Sequence, residues 1–248
     1  MARSDVAGTS PPEWDAERVS LGRHFLRDME SLWAGLLQMA AVVEETLTLG
    51  VRALCHSRPD LAAAVKNEES EIDRREVQLE RECLRILALH QPVASDLRRV
   101  TAVLKINSDL ERMADLALHI AKRVKKSSGD ATPIPIPQGM EAMAMESLSQ
   151  VHDCLDALTR SDSDLARRVI ASDRRFDALR RDIQNDLKDL IRKDPDRLDS
   201  CLRLINTARN LERIADHATN IAEAVIYLKE GKIVRHDDST GRWVDAQA

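Results

Sequence analysis

Aromatic side chains are almost missing from this chain, with three tryptophans, two phenylalanines and one tyrosine in 248 residues. Charged residues reach 32%, and Ala, Leu, Arg, Asp and Glu dominate, a composition that fits long amphipathic helices and an all-α fold. Cysteine is scarce as well. Cys55, Cys83, Cys154 and Cys201 are scattered without a CxxC pair, which argues against a disulfide framework or a thiolate zinc site and leaves them as small apolar fillers. No stretch approaches the ~20 uninterrupted apolar residues of a membrane span, and the N-terminus lacks the apolar core of a signal peptide, so the expected location is the cytoplasm. The formal net charge of −5 argues against nucleic acid as the main partner, since neutralising phosphates takes a concentrated basic face, though a local basic patch is compatible with it.

Enzyme signatures are wanting too. There is no glycine-rich phosphate loop, no GxSxG elbow and no HExxH. A ferritin-like di-iron oxidase needs Glu-x-x-His on its ligand helices, and none of the seven histidines has Glu three residues before it. The reading is therefore a non-enzymatic protein. His217, beside Asp216, is the most attractive ligand or base, but its counterpart in the repeat described next is Leu116, so a structural role is expected for it.

What the chain does contain is one phrase said twice. Leu110-Glu111-Arg112-Met113-Ala114-Asp115 returns as Leu211-Glu212-Arg213-Ile214-Ala215-Asp216, and Ile120-Ala121 and Val124 return as Ile221-Ala222 and Val225 at the same offset. Such self-similarity marks a tandem pair of units. Prolines divide the chain further, because they break helix interiors. Helical patterns run over about 14–57, 60–90, 93–126, 139–160, 162–193 and 196–230, with Pro133, Pro135 and Pro137 in a stiff linker. The parse is a disordered segment at 1–13, a three-helix bundle at 14–126, a linker at 127–137, a second bundle at 138–230 and a polar tail at 231–248. The expected architecture is thus all-α, two tandem pseudo-symmetric three-helix bundles built from six long helices.

Apolar residues three and four apart give the seam of the third helix: Val103, Ile106, Leu110, Met113, Ala117, Ile120 and Val124. The sixth repeats it with Leu204, Thr207, Leu211, Ile214, Ala218, Ile221 and Val225. Glu111, Asp115, Glu212 and Asp216 fall off these stripes, accessible to solvent, ligand or partner. In the second helix Val65, Ile72, Leu79 and Ile86 recur every seventh residue, and Val169, Phe176, Ile183 and Leu190 do so in the fifth. Glu69 and Asp173 sit at the other seam position, where a carboxylate is costly unless paired or coordinated. One turn on come Asp73 and Asp177. Each bundle therefore offers two acidic i,i+4 pairs, a spacing that puts both carboxylates of a pair on one helix face. Were the helices adjacent and level, four carboxylates would form an oxygen-rich site suited to iron, manganese, magnesium or calcium. The alternative is a solvated acidic face compensated by Arg112, Arg213, Arg74 or Arg174.

Gln91-Pro92-Val93-Ala94-Ser95-Asp96-Leu97-Arg98, the phrase at 110–115, Asn210-Leu211-Glu212-Arg213-Ile214-Ala215-Asp216-His217 and Glu230-Gly231-Lys232-Ile233-Val234-Arg235-His236 jointly resemble the PhoU family over roughly 21–236. That resemblance implies two pseudo-symmetric three-helix bundles. It also implies metal clusters, iron first with manganese, magnesium, zinc or calcium as alternatives, on Glu69, Asp73, Glu111, Asp115, Asp173, Asp177, Glu212 and Asp216. The function it implies is repression of phosphate-starvation genes, by coupling a phosphate transporter ATPase to a sensor histidine kinase. A homodimer and at most peripheral membrane association accompany that reading. Two departures stand out: Ala114 and Ala215 replace a glycine common in the family, and the second unit has Asp194-Pro195-Asp196-Arg197-Leu198-Asp199 in place of the Gln-Pro-Val-Ala-Ser-Asp phrase. The competing readings are an accessory to a low-affinity phosphate transporter, a metal-storage or metal-dependent enzyme, and a helical metal-binding or structural adaptor unrelated to phosphate.

Overall fold

Residues in the left-handed region and prolines set the helix ends in the computed structural model, which describes residues 13–127, 134–172 and 174–234. Helix α1 (Glu13–Cys55) is followed by Ser57 at φ 50°, α2 (Pro59–His90) by Gln91 at φ 45°, and α4 (Gln138–Arg160) by Ser161 at φ 52°. α2 opens on a proline, whose missing N–H costs nothing at that position, and the Gln91 N–H closes it by donating to Leu87 O. Helix α3 covers Ala94–Ser127. Asp162 caps α5 (Ser163–Ser172), its Oδ1 accepting the N–H groups of Asp164 and Leu165 at 2.9 and 3.0 Å. Helix α6 covers Arg174–Lys193, a single 3₁₀ turn Pro195–Arg197 follows, and α7 runs over Leu198–Glu230.

The all-α expectation holds among the described residues, with no strand. The helix expected over 162–193 is described as α5 and α6, on either side of Asp173, which lies outside the described residues. The N-terminal segment to residue 12, linker positions 128–133 and the tail from 235 also lie outside them.

α1, α2 and α3 pack on one another, and α4, α5 and α6 pack on α7. Every residue of the α3 and α7 seams is buried, as are Val65, Ile72, Leu79, Ile86, Val169, Phe176 and Ile183, whereas Leu190 is half-buried. The two halves share one continuous apolar core, because α3 also packs against α7 and α1 against α4. α3 buries Ala114, Leu116, Leu118 and Ala121 as well, residues that its seam periodicity leaves out. By length and composition α1 contains a stretch, Gly22–Cys55, apolar enough to cross a membrane. Here the stretch serves the core, with Leu36, Met39, Val43 and Leu47 buried in it.

Polar bridges pin the halves together. Asp109 Oδ1 on α3 accepts from His217 Nδ1 (2.8 Å) and Asn220 Nδ2 (3.1 Å) on α7. Glu44 Oε1 on α1 accepts from His152 Nδ1 on α4 at 2.8 Å, and that hydrogen bond holds the His152 imidazole above its usual range. His217 thus has the structural role that an unmatched histidine suggested.

Two of the phrases that carry the family resemblance meet where the start of α3 lies beside the end of α7. Arg98, which closes the phrase starting at Gln91, stacks its guanidinium 5.9 Å from the Tyr227 ring centroid. It also lies against Gly231, which sits at φ 72° and donates its N–H to Tyr227 O. A Cβ at 231 would displace the Arg98 guanidinium, which can swing aside, and would force an L-residue into the left-handed region, which cannot be relieved. Gly231→Ala is expected to lower stability in urea titrations by about 1 kcal/mol; an unchanged midpoint would contradict this end structure.

Candidate metal centre

Four of the eight acidic residues come together. Glu69 and Asp73 from α2 and Glu111 and Asp115 from α3 line one crevice, floored by Thr46 of α1 with Val65, Ile72, Ala114 and Leu118. The α2–α3 register makes the pairs level, because the heptad-spaced apolar residues of α2 and the α3 seam are locked on the inner side of the same two helices. Open space in the crevice is ≈ 10 Å³, about what one water occupies. Ala114 lies at its floor, where its methyl narrows the site. The side chains are less exposed than an off-stripe position suggests: Glu111 keeps 23% of its surface and Asp115 41%.

Compensation at this crevice is thin. Burial, then the Asp115 carboxylate, push the Glu111 carboxyl above its ordinary range; Glu76 and Asp73 add to the push, and only Arg112 works against it. Arg112 reaches Glu111 at 3.4 Å and Asp115 at 3.8 Å, while 58% exposed, and contacts so long and so wet contribute little. Arg74 does not serve as the expected counter-charge for Asp73: it turns to Glu71, forked at 2.7 and 3.0 Å, and Arg75 joins it there.

The second half differs. Glu212 Oε1 is taken by Arg180 Nε at 2.6 Å, with both side chains largely covered, and Asp216 is exposed one turn on. Asp173 and the side chain of Asp177 lie outside the described residues, so the second quartet is not brought together by those that are described. Arg180 was not singled out from the sequence, although a signal for it exists. In the register that aligns Asp73 with Asp177, Arg180 aligns with Glu76, a reversal of charge at equivalent positions beside otherwise similar acidic pairs.

Oxygen donors of this kind suit a hard cation. Among the described residues no three histidine, cysteine or carboxylate side chains stand close enough to hold one ion together, and Arg112 leans across the α3 pair. Thiolate chemistry is not offered: Cys83, Cys154 and Cys201 are buried, and burial pushes the Cys83 thiol up to about 12.

These features define a class, a tandem helical-bundle protein whose chemistry is charge recognition on helix faces. The family follows from comparison. A model of the PhoU domain matches residues 36–124 and again 140–225. The phosphate-specific transport system accessory protein PhoU homolog of Zymomonas mobilis is 39% identical over 210 residues, covering 84% of this chain and 87% of that protein. The accessory protein PhoU of Escherichia coli is 31% identical over 225 residues, 89% of this chain and 92% of its own. Among solved structures, PhoU from Pseudomonas aeruginosa superposes with a TM-score of 0.78 at 35% identity, over 84% of this chain and 100% of that one. The phosphate transport system regulatory protein PhoU from Streptococcus pneumoniae gives 0.77 at 27% identity, over 85% and 99%. The chain belongs to the PhoU family, whose members here are named as accessory or regulatory proteins and not as enzymes.

The two halves should respond oppositely to loss of charge in metal-free protein. Glu111→Gln, which relieves like-charge crowding, is expected to raise stability by about 0.5 kcal/mol. Arg180→Gln, which strands Glu212, is expected to lower it by about 1 kcal/mol. Urea denaturation in the presence of a chelator reads both, and the same sign for the two variants would refute the asymmetry.

Proposed function

We propose that this chain is a non-enzymatic regulator of phosphate uptake and phosphate-starvation signalling, acting in the cytoplasm as an adaptor between a phosphate transporter ATPase and a sensor histidine kinase. Family membership supports the phosphate connection. The fold suits an adaptor, because rigid bundles hold exposed helix faces at fixed spacing, on which partner domains or amphipathic helices dock. The observation that supports the cation part is the α2–α3 crevice, which four carboxylates line and where Glu111 is left under-compensated. A hard cation, iron first among them, would be held there by Glu69, Asp73, Glu111 and Asp115 once Arg112 turns away. It would neutralise an acidic surface and thereby set affinity for a partner or for membrane headgroups. In the second half Asp173, Asp177, Glu212 and Asp216 would do the same only after Arg180 releases Glu212. Pairing of two copies into a homodimer belongs to the same proposal.

The test is alkaline phosphatase activity in phosphate-rich medium. A clean deletion is expected to raise it well above the parent, and reintroduction of the gene to restore repression. A copy carrying Glu69→Gln, Asp73→Asn, Glu111→Gln and Asp115→Asn, checked for helicity by circular dichroism, is expected to restore it poorly. Unchanged activity in the deletion would remove the repressor role. Full repression by the variant would remove the crevice from it.

A further inference from the structure

An apolar groove of ≈ 680 Å³ runs between α1, the start of α3 and the end of α7, with Ser161 at its margin. Its walls are Leu26, Met29, Trp33 and Leu37 of α1, Val103 of α3 and Leu228 of α7. Leu26 is 60% exposed, whereas Met29, Trp33, Leu37 and Leu228 pack on the core yet remain only half-covered. Contiguous apolar surface of this kind marks a contact site, and the volume lies within the ~300–1,000 Å³ usual for an occupied cleft. The groove draws its walls from both halves of the chain. Its rim carries exposed Arg99 and Lys229 against a single acidic residue, Glu30, a local surplus of positive charge in a chain whose net charge is −5.

The chain that follows α7 sets out from this same end of the molecule. Leu228 and Lys229 line the groove from the last turn of α7, and Val234, just past that helix, still packs on the core. Positions 235–248 are polar except for Trp243-Val244, which holds one of the three tryptophans of the whole chain. No other large apolar side chain lies in that stretch to shelter the indole, and a tryptophan gains most from a site that is apolar on its walls and wet at its mouth. Asp237, Asp238 and Asp245 stand on either side of Trp243-Val244 and match the basic rim in sign. Length is sufficient as well. Extended chain from Val234 to Trp243 covers up to about 30 Å, whereas the α1 wall from Leu26 to Leu37 is about 17 Å long at the rise of an α-helix.

We propose that this groove is the docking site of the chain's own C-terminal segment, with Trp243 and Val244 seated between α1 and α7 and the flanking aspartates at the Arg99 and Lys229 rim. Tethering makes the contact intramolecular, at an effective concentration on the order of mM, so a modest contact keeps the groove filled. Because the walls come from both halves, the docked segment bridges them. It is also a built-in competitor, since an amphipathic helix from a partner gains the groove only by displacing it. The site goes beyond the adaptor reading and does not depend on the acidic crevice holding a cation.

The test is photo-crosslinking in the full chain with p-benzoylphenylalanine in place of Trp243, irradiated at low protein concentration and mapped by peptide mass spectrometry. Crosslinks within one chain to the α1 wall between Leu26 and Leu37, or to Leu228, are expected. Leu26→Asp, at an exposed position and checked for helicity by circular dichroism, is expected to lower their yield about fivefold or more, as the loss of a buried leucine contact requires. Crosslinks only between chains would make a second copy the occupant and overturn the proposal. It is equally overturned by no crosslink, or by crosslinks confined to other surfaces such as the exposed Leu89 and Val93 or the segment before α1. A crosslink to α1 that Leu26→Asp leaves undiminished would show nearness without docking and overturn it too.

Discussion

The register between α2 and α3 is the constraint on which the rest of this structure depends. Val65, Ile72, Leu79 and Ile86 are buried, and a half-turn rotation of α2 about its own axis would expose every one of them. Burying a large aliphatic side chain is worth ~1.5–3 kcal/mol, whereas crowding like charges at i,i+4 costs a few tenths. The apolar side therefore dictates the alignment, and the carboxylates on the other side of the same helices must accept it. Glu69, Asp73, Glu111 and Asp115 are held level in one crevice because the core has no reason to let them apart.

From that follows a division of labour between the halves. The chain repeats its framework closely but not its charges: Glu76 adds to the acidity around Glu111, and Arg180, in the equivalent place, covers Glu212. The α2–α3 crevice is left short of positive charge, whereas in the second half Glu212 already holds Arg180. The joint between the halves is polar as well as apolar, with Asp109 held by His217 and Asn220. The two sites are thus displayed on one body with a shared core, and not on two freely moving ones.

Much of this was legible in the sequence, for a physical reason. Helical period and proline placement are local, so the elements and their buried faces could be read directly, down to each residue of the α3 and α7 seams. The acidic quartet of the first half could be assembled because one register argument sufficed. What could not be read were choices among non-local partners. Arg74 had two acidic neighbours within reach and took Glu71. Arg180 was not among the arginines offered as counter-charges, and it is the one that covers Glu212.

The most direct test of the inequality between the two acidic sites is anomalous scattering from crystals of the full chain grown with Mn²⁺. A peak among Glu69, Asp73, Glu111 and Asp115, with weaker density or none beside Glu212 and Arg180, is the result this account predicts. Equal peaks at both sites, or a peak at the second alone, would contradict it.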